Sequence, residues 1–292
     1  MTTRVNSDRG VEPRAPAYSD TPSLESLRPS HFDDLVRVGR DHDGGYILPR
    51  SAIVASDVLL SLGVNDDWSF EESVVSVNPR ITVTCVDGST GLRHILRKTA
   101  QKSVDMLGYL ATLQISKFLR NARYLSRPVE FRRFFARHEL LKLMVSAGPA
   151  SGCVTLHDLL TRAAGGSRDR RILLKCDIEG SEYEVLPTLD EFASQVVAIV
   201  AEFHGLDRHW RQFAACMQAL ESHFCVAHVH GNNFDGCVSG TLVPVTLEVT
   251  LVNRLLLVED PVRSRRSYPV QGLDMPNNRK RPDLPLAFDE PP

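Results

Sequence analysis

Short apolar runs alternate with amphipathic stretches along most of the chain, between about residue 31 and residue 272. Six runs rich in Val, Ile and Leu predict strands at 55–64, 81–87, 171–179, 195–204, 223–230 and 244–253. The first four are almost continuously apolar, as strands buried on both faces of a parallel sheet are. A Gly/Asn-rich connection too short for a crossover helix joins the last two, so we expect an antiparallel pair that closes the sheet.

Helical spacing of apolar residues fills the stretches between these runs. It predicts helices at 68–78, 103–120, 155–163, 181–193 and 207–222. Strands that alternate with helices in this way are typical of an α/β protein whose sheet is covered by helices. We therefore expect a Rossmann-like, doubly wound sheet of about seven mostly parallel strands with an antiparallel closing strand.

The two ends of the chain and one internal segment depart from this pattern. Residues 1–30 hold four prolines and few aliphatic residues, and residues 273–292 have a similar composition. Both are predicted to be disordered, on either side of a single domain at 31–272. Residues 92–142 form a basic helical insertion, with twelve Lys or Arg against three acids in a chain of net charge −2. Such a segment is either a solvated helical face or a surface that steers an anionic partner.

Composition narrows the classes of function. The 292 residues are 42% hydrophobic and 24% charged, as in an ordinary globular protein, and no apolar run is long enough to span a membrane. The first residues lack the apolar core of a secretory signal, and the six cysteines show no metal-binding spacing. We therefore expect a cytoplasmic protein with reduced thiols. The near-neutral net charge disfavours nucleic acid as a partner, and the oligomeric state stays open.

Ionisable residues stand at the carboxyl ends of three predicted strands. Asp177 ends one run, Glu202 and His204 end the next, and His228 and His230 end the one after that. Open α/β sheets bind ligands in the crevice outside these strand ends. We therefore expect a site there, with His204, His230 and Asp177 as catalytic candidates, because histidine is well suited to act as a base near neutral pH. Each histidine could equally be a hydrogen-bonded structural residue.

The same strand ends offer a candidate metal site. Asp177, Glu202 and His230 would supply the mixed oxygen and nitrogen ligands that suit Mg²⁺ or Mn²⁺. A metal there could lower the pKa of a bound substrate hydroxyl. Lys175 lies on the same strand face as Asp177 and could instead neutralise the acids without a metal.

A single glycine, Gly63, follows the first strand, and Asp66 and Asp67 precede the next helix. Glycine lets the backbone approach a ligand closely, but two carboxylates at a helix start would repel a pyrophosphate. The second strand ends at Asp87, where an acid can accept hydrogen bonds from ribose hydroxyls. The pattern disfavours a nicotinamide dinucleotide and favours a nucleoside cofactor with a positive centre and no phosphate.

Several stretches together resemble the FkbM-type S-adenosylmethionine-dependent methyltransferases. They are LLKCDIEGSEYEVL at 173–186, LLSLGVNDDWSFE at 59–71, DGGYILP at 43–49 and VTLHDLL at 154–160. The resemblance covers about residues 35–255 and does not extend to the basic segment. It implies a class I methyltransferase fold with S-adenosylmethionine as cofactor. The residues that it implies around the cofactor are Gly63, Asn65, Asp66 and Asp67 in the loop, Asp87 at the ribose, and Asp43 and Tyr46 closing over it.

The residues and the resemblance together predict an S-adenosylmethionine-dependent O-methyltransferase. It would act on a hydroxyl of a small molecule, sugar or natural product, with a strand-end histidine or a metal-assisted base. Carboxylates at the mouth of the site would favour the sulfonium and ammonium groups of this cofactor. Two alternatives remain: a metal-dependent hydrolase that uses the Asp/Glu/His cluster, and a non-catalytic protein of the same fold that docks through the basic segment.

Overall fold

A seven-stranded sheet lies at the centre of the protein, and six of its strands are the apolar runs that the sequence predicts. The computed structural model describes residues 22–257 and 261–288. In these ranges the strands are β1 Leu35–Gly39, β2 Gly45–Pro49, β3 Val58–Leu62, β4 Thr82–Val86, β5 Glu139–Leu141, β6 Met144–Ser146, β7 Cys153–Thr155, β8 Ile172–Cys176, β9 Val196–Phe203, β10 Phe224–Cys237 and β11 Pro244–Asn253. The pairs β1–β2 and β6–β7 form two small separate sheets.

The strand order confirms the predicted fold class. The central sheet runs β5–β4–β3–β8–β9–β11–β10, and β11 is antiparallel to both neighbours while the other pairs are parallel. The chain builds outward from β3 through β4 to β5 and then returns to the other side of β3 with β8. This is a Rossmann-like, doubly wound sheet with one antiparallel strand. The order reverses between β3 and β8, which is where such sheets bind ligands.

Burial explains why the central strands read as continuous apolar runs. Every residue of β3, β8 and β9 is buried, because helices cover both faces of the sheet. Neighbouring residues of β3 enter opposite halves of the core, with Leu60 on one face and Leu59 on the other. The strands that end at the site are therefore packed on both faces of the sheet.

The five predicted helices are present, two of them with a break, and the structure adds helical residues that the periodicity did not predict. The helices are α1 Arg50–Val54, α2 Ser69–Val77, α3 Leu92–Ala111, α4 Ile115–Ala122, α5 Arg127–Phe135, α6 Leu156–Ala164, α7 Glu182–Val185 and α8 Leu206–Leu220. The helix predicted at 103–120 is divided between α3 and α4, because the backbone at Leu113 turns into the left-handed region with φ of 55°. The helix predicted at 181–193 is α7 followed by a 3-10 segment at Leu186–Phe192, where Pro187 lacks the amide proton that an α-helix would use.

Both ends of the chain differ from the predicted disordered arms where the structure describes them. Residues 1–21 of the first arm lie outside the described ranges, but Leu24 and Leu27 are buried in the main core. Residues 289–292 of the tail also lie outside these ranges, whereas Leu286 and Phe288 pack into that same core. Composition missed this order because a few apolar anchors suffice when the polar neighbours find buried partners.

The basic segment 92–142 is the connection from β4 to β5 and contains α3, α4 and α5. It is tied to the domain by an aromatic cluster, in which the rings of Phe131 and Phe135 lie 5.6 and 6.0 Å from Trp68. No helix in the described part of the chain combines the length and apolarity needed to cross a bilayer.

Candidate functional site

A cavity opens at the carboxyl ends of β3, β4, β8 and β9, where the strand order reverses. Its volume of about 470 Å³ is in the range of small-molecule sites. The predicted site residues that line it are Asp43, Tyr46, Gly63, Asn65, Asp66, Asp87, Asp177, Glu202 and His204. Asp67 and His230 are not among its lining residues. The structure therefore brings most of the predicted residues together around one cavity.

Gly63 is needed because two strand ends approach each other here. Its φ is 78°, and a Cβ at this position would come 1.7 Å from the carbonyl oxygen of Asp177. The amide of Asp177 also donates to the carbonyl of Leu62 at 3.0 Å. The loop after β3 and the loop after β8 are thus held in contact, and together they form the floor of the cavity.

Asp87 anchors the loop that follows β3. One carboxylate oxygen accepts hydrogen bonds from the amides of Val64 and Asn65 at 3.0 and 2.7 Å, and the other accepts from Ser89 and Thr90 at 2.8 Å. Burial alone would raise the pKa of Asp87, but these donors lower it to about 2. With its lone pairs engaged, Asp87 in this structure shapes the loop, and its contact with ribose hydroxyls stays a prediction.

Cations neutralise the two acids at the start of α2. Asp66 pairs with Lys98 at 2.7 Å, and Asp67 pairs with Arg40 at 2.7 Å and with Arg127 at 3.4 Å. Lys98 and Arg127 both come from the basic segment. The predicted negative mouth therefore loses these two charges, and the basic segment has an intramolecular role that its sequence did not indicate.

A network of buried polar groups forms the far wall of the cavity. Lys175 is buried, donates to the carbonyl of Gly63 at 2.7 Å and lies 3.2 Å from Oδ2 of Asp177. The hydroxyl of Tyr46 lies 3.1 Å from the same oxygen and 3.0 Å from Oε2 of Glu202. Lys175 thus partly neutralises this wall, which is the metal-free alternative that the sequence left open.

The surroundings of Glu202 favour its protonated form. Burial raises its pKa, and the negative charges of Asp177 and Glu248 add to the shift, which brings the pKa to about 8. A protonated Glu202 can donate from Oε2 to Tyr46, so that Tyr46 can donate its one hydroxyl proton to Asp177. The remaining oxygen of Glu202 accepts from Asn232 at 2.9 Å. Every group in this chain of hydrogen bonds is then satisfied.

His204 is oriented by a buried carboxylate. Its Nδ1 donates to Oε1 of Glu182 at 3.2 Å, and Glu182 is itself held by the amides of Ile178 and Gly180 at 2.9 Å each. This contact places the ring proton on Nδ1 and leaves Nε2 to face the cavity. A histidine fixed by a carboxylate in this way has the geometry of a general base.

The free nitrogen of His204 lies among acids. Nε2 is 3.7 Å from Glu179 and 4.0 Å from Oδ1 of Asp177, gaps that are too long for direct hydrogen bonds but that a bound hydroxyl could bridge. Burial alone would lower the pKa of His204, but the hydrogen bond with Glu182 and the negative charges of Glu182 and Asp177 raise it to about 9.

Glu182 and Asn232 are site residues that the sequence reasoning missed. An acid in the first turn of a helix, such as Glu182, and an asparagine beside a glycine, such as Asn232, are common without any functional role. Glu182 reaches His204 because the backbone at Glu179 and Gly180 turns through φ of 56° and 102°. Two consecutive left-handed residues cannot be inferred from residue types when one of them is a glutamate. The glycine after Glu179 was the available signal.

The structure does not bring His230 to the cavity. Its ring is buried between Oε2 of Glu248 at 3.1 Å and Oδ1 of Asp283 at 3.0 Å. Burial alone would lower the pKa of His230, but Glu248 and Asp283 raise it to about 10. As an imidazolium with both protons bound, it has no lone pair for a metal or a substrate proton. His228 is similarly paired with Asp274 at 2.8 Å.

The predicted metal ligands Asp177, Glu202 and His230 are therefore not assembled. The structure does assemble a different group of three residues. Asp177, Glu179 and His204 each offer one ligand atom, and these atoms lie within 4.8 Å of one another. Two carboxylates and one imidazole suit Mg²⁺ or Mn²⁺ in ligand type. The ammonium of Lys175 at 3.2 Å from Asp177 competes with a cation for that carboxylate.

Comparison with known proteins gives structural similarities at low sequence identity. No family model and no curated protein matches the chain. The chain is similar to a solved fibrillarin/Nop5p complex (TM-score 0.35, 10% identity, 68% of this chain and 73% of that chain). It is also similar to a fibrillarin pre-rRNA processing protein of Methanococcus jannaschii (TM-score 0.35, 9% identity, 69% and 68%) and to the precorrin-6y C5,15-methyltransferase of Geobacter metallireducens GS-15 (TM-score 0.33, 11% identity, 70% and 86%). The fold assignment rests on the order and direction of the strands, independently of these similarities.

Proposed function

We propose that the protein is an S-adenosylmethionine-dependent methyltransferase that methylates a hydroxyl of a small molecule, sugar or natural product. One observation carries the proposal: a single cavity joins the loop after β3, anchored by Asp87, to a histidine that Glu182 orients. The first feature is suited to a nucleoside cofactor and the second to removing a proton from an acceptor. The FkbM-type resemblance points to the same reaction.

The charge of the cavity supports this choice of cofactor. Asp43, Asp177, Glu179 and Asp235 contribute carboxylates to the lining, even though Asp66 is neutralised by Lys98. Such a lining favours a ligand with positive centres and repels phosphates. When bound, S-adenosylmethionine supplies an electrophilic methyl group on a sulfonium and leaves as the neutral thioether.

The chain itself supplies orientation and a base. An acceptor hydroxyl between Nε2 of His204 and Oδ1 of Asp177 would be within hydrogen-bond reach of both atoms. Neutral His204 then takes the hydroxyl proton at Nε2, and Glu182 stabilises the imidazolium that results. Tyr46 and Lys175 hold Asp177 in position, so that the hydroxyl oxygen is aligned for in-line attack.

A metal-assisted form of the same reaction has one structural feature in its favour. The group Asp177, Glu179 and His204 could hold Mg²⁺ or Mn²⁺ and lower the pKa of the acceptor hydroxyl. The same group would serve the metal-dependent hydrolase. The two functions differ in whether the protein binds S-adenosylmethionine, so binding of the cofactor is the decisive property.

Titration calorimetry with S-adenosylmethionine, first with a chelator and then with Mg²⁺, tests the proposal. We expect binding in the low micromolar range, about −8 kcal/mol, under both conditions. Asp87→Ala should weaken binding by at least about tenfold, because the loop loses the anchor that positions it. Asp34→Ala is the matched control, since Asp34 also accepts from a backbone amide, that of Ser51, away from the cavity.

The outcomes of this titration separate the candidate functions. Absence of binding under both conditions would exclude the methyltransferase and leave the hydrolase, which ester cleavage with Mg²⁺ would identify, or the non-catalytic docking protein. Binding that requires Mg²⁺ would support the metal-assisted form. Equal affinities of wild type and Asp87→Ala would show that Asp87 contributes nothing to the cofactor site.

The rate of methyl transfer should rise with pH across the neutral range. His204 acts as a base only when it is neutral, and its raised pKa of about 9 keeps it protonated below that value. With an acceptor found among hydroxylated metabolites and sugars, we expect kcat/KM to increase about tenfold per pH unit below about pH 8 and to level off above about pH 9. A profile that is flat from pH 6 to 8 would argue against His204 as the base.

A further inference from the structure

Exposed aliphatic side chains are concentrated in the basic segment. Among the described residues, nine of the fifteen exposed large hydrophobic side chains lie between positions 96 and 129. They are Leu96, Val104, Leu107, Leu110, Leu113, Ile115, Leu119, Leu125 and Val129. The other six are scattered over the rest of the chain. Single exposed aliphatics need no explanation, but a concentration of this kind marks an interaction surface.

On α3 these residues form one continuous stripe. At 100° per residue, Leu96, Val104, Leu107 and Leu110 fall within an arc of about 120° on the helix surface. Ala100 and Ala111 lie in the same arc and are also exposed. The opposite side of the helix carries its buried contacts through Ile95 and Met106. We call the outward set of Leu96, Val104, Leu107 and Leu110 the α3 stripe.

The surroundings of the α3 stripe are positively charged. The exposed Arg97 borders the stripe on one side of the helix, and the exposed Arg93 lies within the same arc at the start of α3. From Leu92 to Ala122 the chain contains six Lys or Arg residues and a single acid, Asp105, which pairs with Lys102 at 3.5 Å. The surface therefore combines aliphatic groups with cations and offers almost no negative charge.

We propose that the α3 stripe and its flanking arginines dock the protein on a lipid bilayer that carries anionic headgroups. Aliphatic residues of an amphipathic helix enter the boundary between headgroups and acyl chains, while flanking Arg and Lys contact the phosphates. The helix would lie in the plane of the membrane without crossing it. This proposal does not depend on the methyltransferase activity.

Two features favour lipid over a protein as the occupant. A second copy that docked through the same surface would bring two strongly basic segments together, which like-charge repulsion opposes. Interfaces between proteins are enriched in aromatic residues and methionine, whereas the α3 stripe consists of Leu and Val. An acidic protein partner and a second copy remain outcomes of the test.

Docking leaves the cavity accessible, because the site is on the other side of α3. Lys98 projects from the side of α3 away from the stripe and pairs with Asp66 of the cavity loop at 2.7 Å. The stripe and the loop are thus separated by about one helix diameter, roughly 10 Å. Substitutions in the stripe should therefore change membrane binding and leave binding of S-adenosylmethionine unchanged.

Vesicle flotation at low salt tests the proposal. We expect the full-length protein to float with vesicles of phosphatidylcholine and about one third phosphatidylglycerol, and not with phosphatidylcholine alone. The double variant Leu96→Ser and Leu107→Ser should bind at least about tenfold more weakly. The control double variant Leu242→Ser and Leu255→Ser should bind like wild type, because both leucines lie outside the basic segment. The control is matched in exposure, since Leu255 is 72% exposed and Leu107 is 69% exposed. Arg93→Gln with Arg97→Gln should weaken binding severalfold and reduce its dependence on salt.

Four results would contradict the proposal. The proposal is wrong if the protein does not float with anionic vesicles, or if the stripe variant and the control variant bind alike. It is also wrong if sedimentation reveals a dimer that the stripe variant dissolves, because the surface then belongs to a second copy. If an acidic protein binds through the stripe and anionic vesicles do not bind, the occupant of this surface is that protein and not lipid. Unchanged circular dichroism of both variants shows that folding is not the cause.

Discussion

Replacing His204 with glutamine is expected to lower kcat by about 10²–10⁴-fold and to leave the Kd for S-adenosylmethionine almost unchanged. The reason is that His204 carries the unbonded nitrogen facing the cavity, with its tautomer set by Glu182. Glutamine keeps a polar group of similar reach but cannot accept a proton near neutral pH. Steady-state kinetics and calorimetry on the same preparation measure the two quantities.

His223→Gln is the matched control for this prediction. His223 also pairs with a carboxylate, that of Asp190 at 3.1 Å, but it is exposed and does not line the cavity. Its replacement should not change kcat. The pH profile gives an independent readout, because His204→Gln should abolish the rise toward pH 9 as well as the rate itself. A variant with wild-type kcat would remove His204 from the role of base.

Replacing Lys175 with methionine is expected to lower the free energy of unfolding by about 3–5 kcal/mol. Among the described residues, Lys175 is the only buried Lys or Arg. Its positive charge balances the negative charges of Asp177 and Glu71. Methionine fills a similar volume but leaves the buried carboxylate of Glu71 and the partly buried one of Asp177 without this cation. Urea unfolding followed by circular dichroism measures the difference, and Lys142→Met is the control because Lys142 is exposed.

The pH dependence of this deficit follows from the sign of the shift. Burial alone would lower the pKa of Lys175, but Asp177 and Glu71 raise it above its ordinary value. Its contribution is therefore fully present below the ordinary lysine pKa of about 10.4 and is lost as pH rises through the folded value. In the variant, protonation of the carboxylates relieves the repulsion, so the deficit should shrink toward acid pH. A deficit below about 1 kcal/mol at pH 7 would contradict the assigned role of Lys175.

The strands were predictable from sequence because the interior of a parallel sheet imposes one requirement on every residue. All residues of β3, β8 and β9 are buried, and each of these strands is an almost continuous apolar run with one buried polar residue. The helices were less predictable in their ends. Nothing in the residue types indicated that the backbone adopts a left-handed conformation at Leu113, just after the end of α3.

The two candidate histidines show why the sequence predicts the site only in part. His204 and His230 each stand at the end of a predicted strand and are equivalent in sequence as candidate bases. Their difference arises from the partners: His204 faces the cavity, whereas His230 is enclosed by Glu248 and by Asp283 from the C-terminal segment. That segment was predicted to be disordered, so its contact with His230 was outside the reach of sequence reasoning.

Local apolar patterns in the sequence predicted the α/β class and six of the seven strands of the central sheet, and a general property of doubly wound sheets indicated the edge where the cavity lies. The tertiary structure decided which polar groups meet. The pairing of Glu182 with His204, the cations that neutralise Asp66 and Asp67, and the enclosure of His230 join residues from separate elements. Such contacts depend on how loops turn and how helices pack, and hydrogen-bond and charge energies over a few ångströms then set the chemistry of each group.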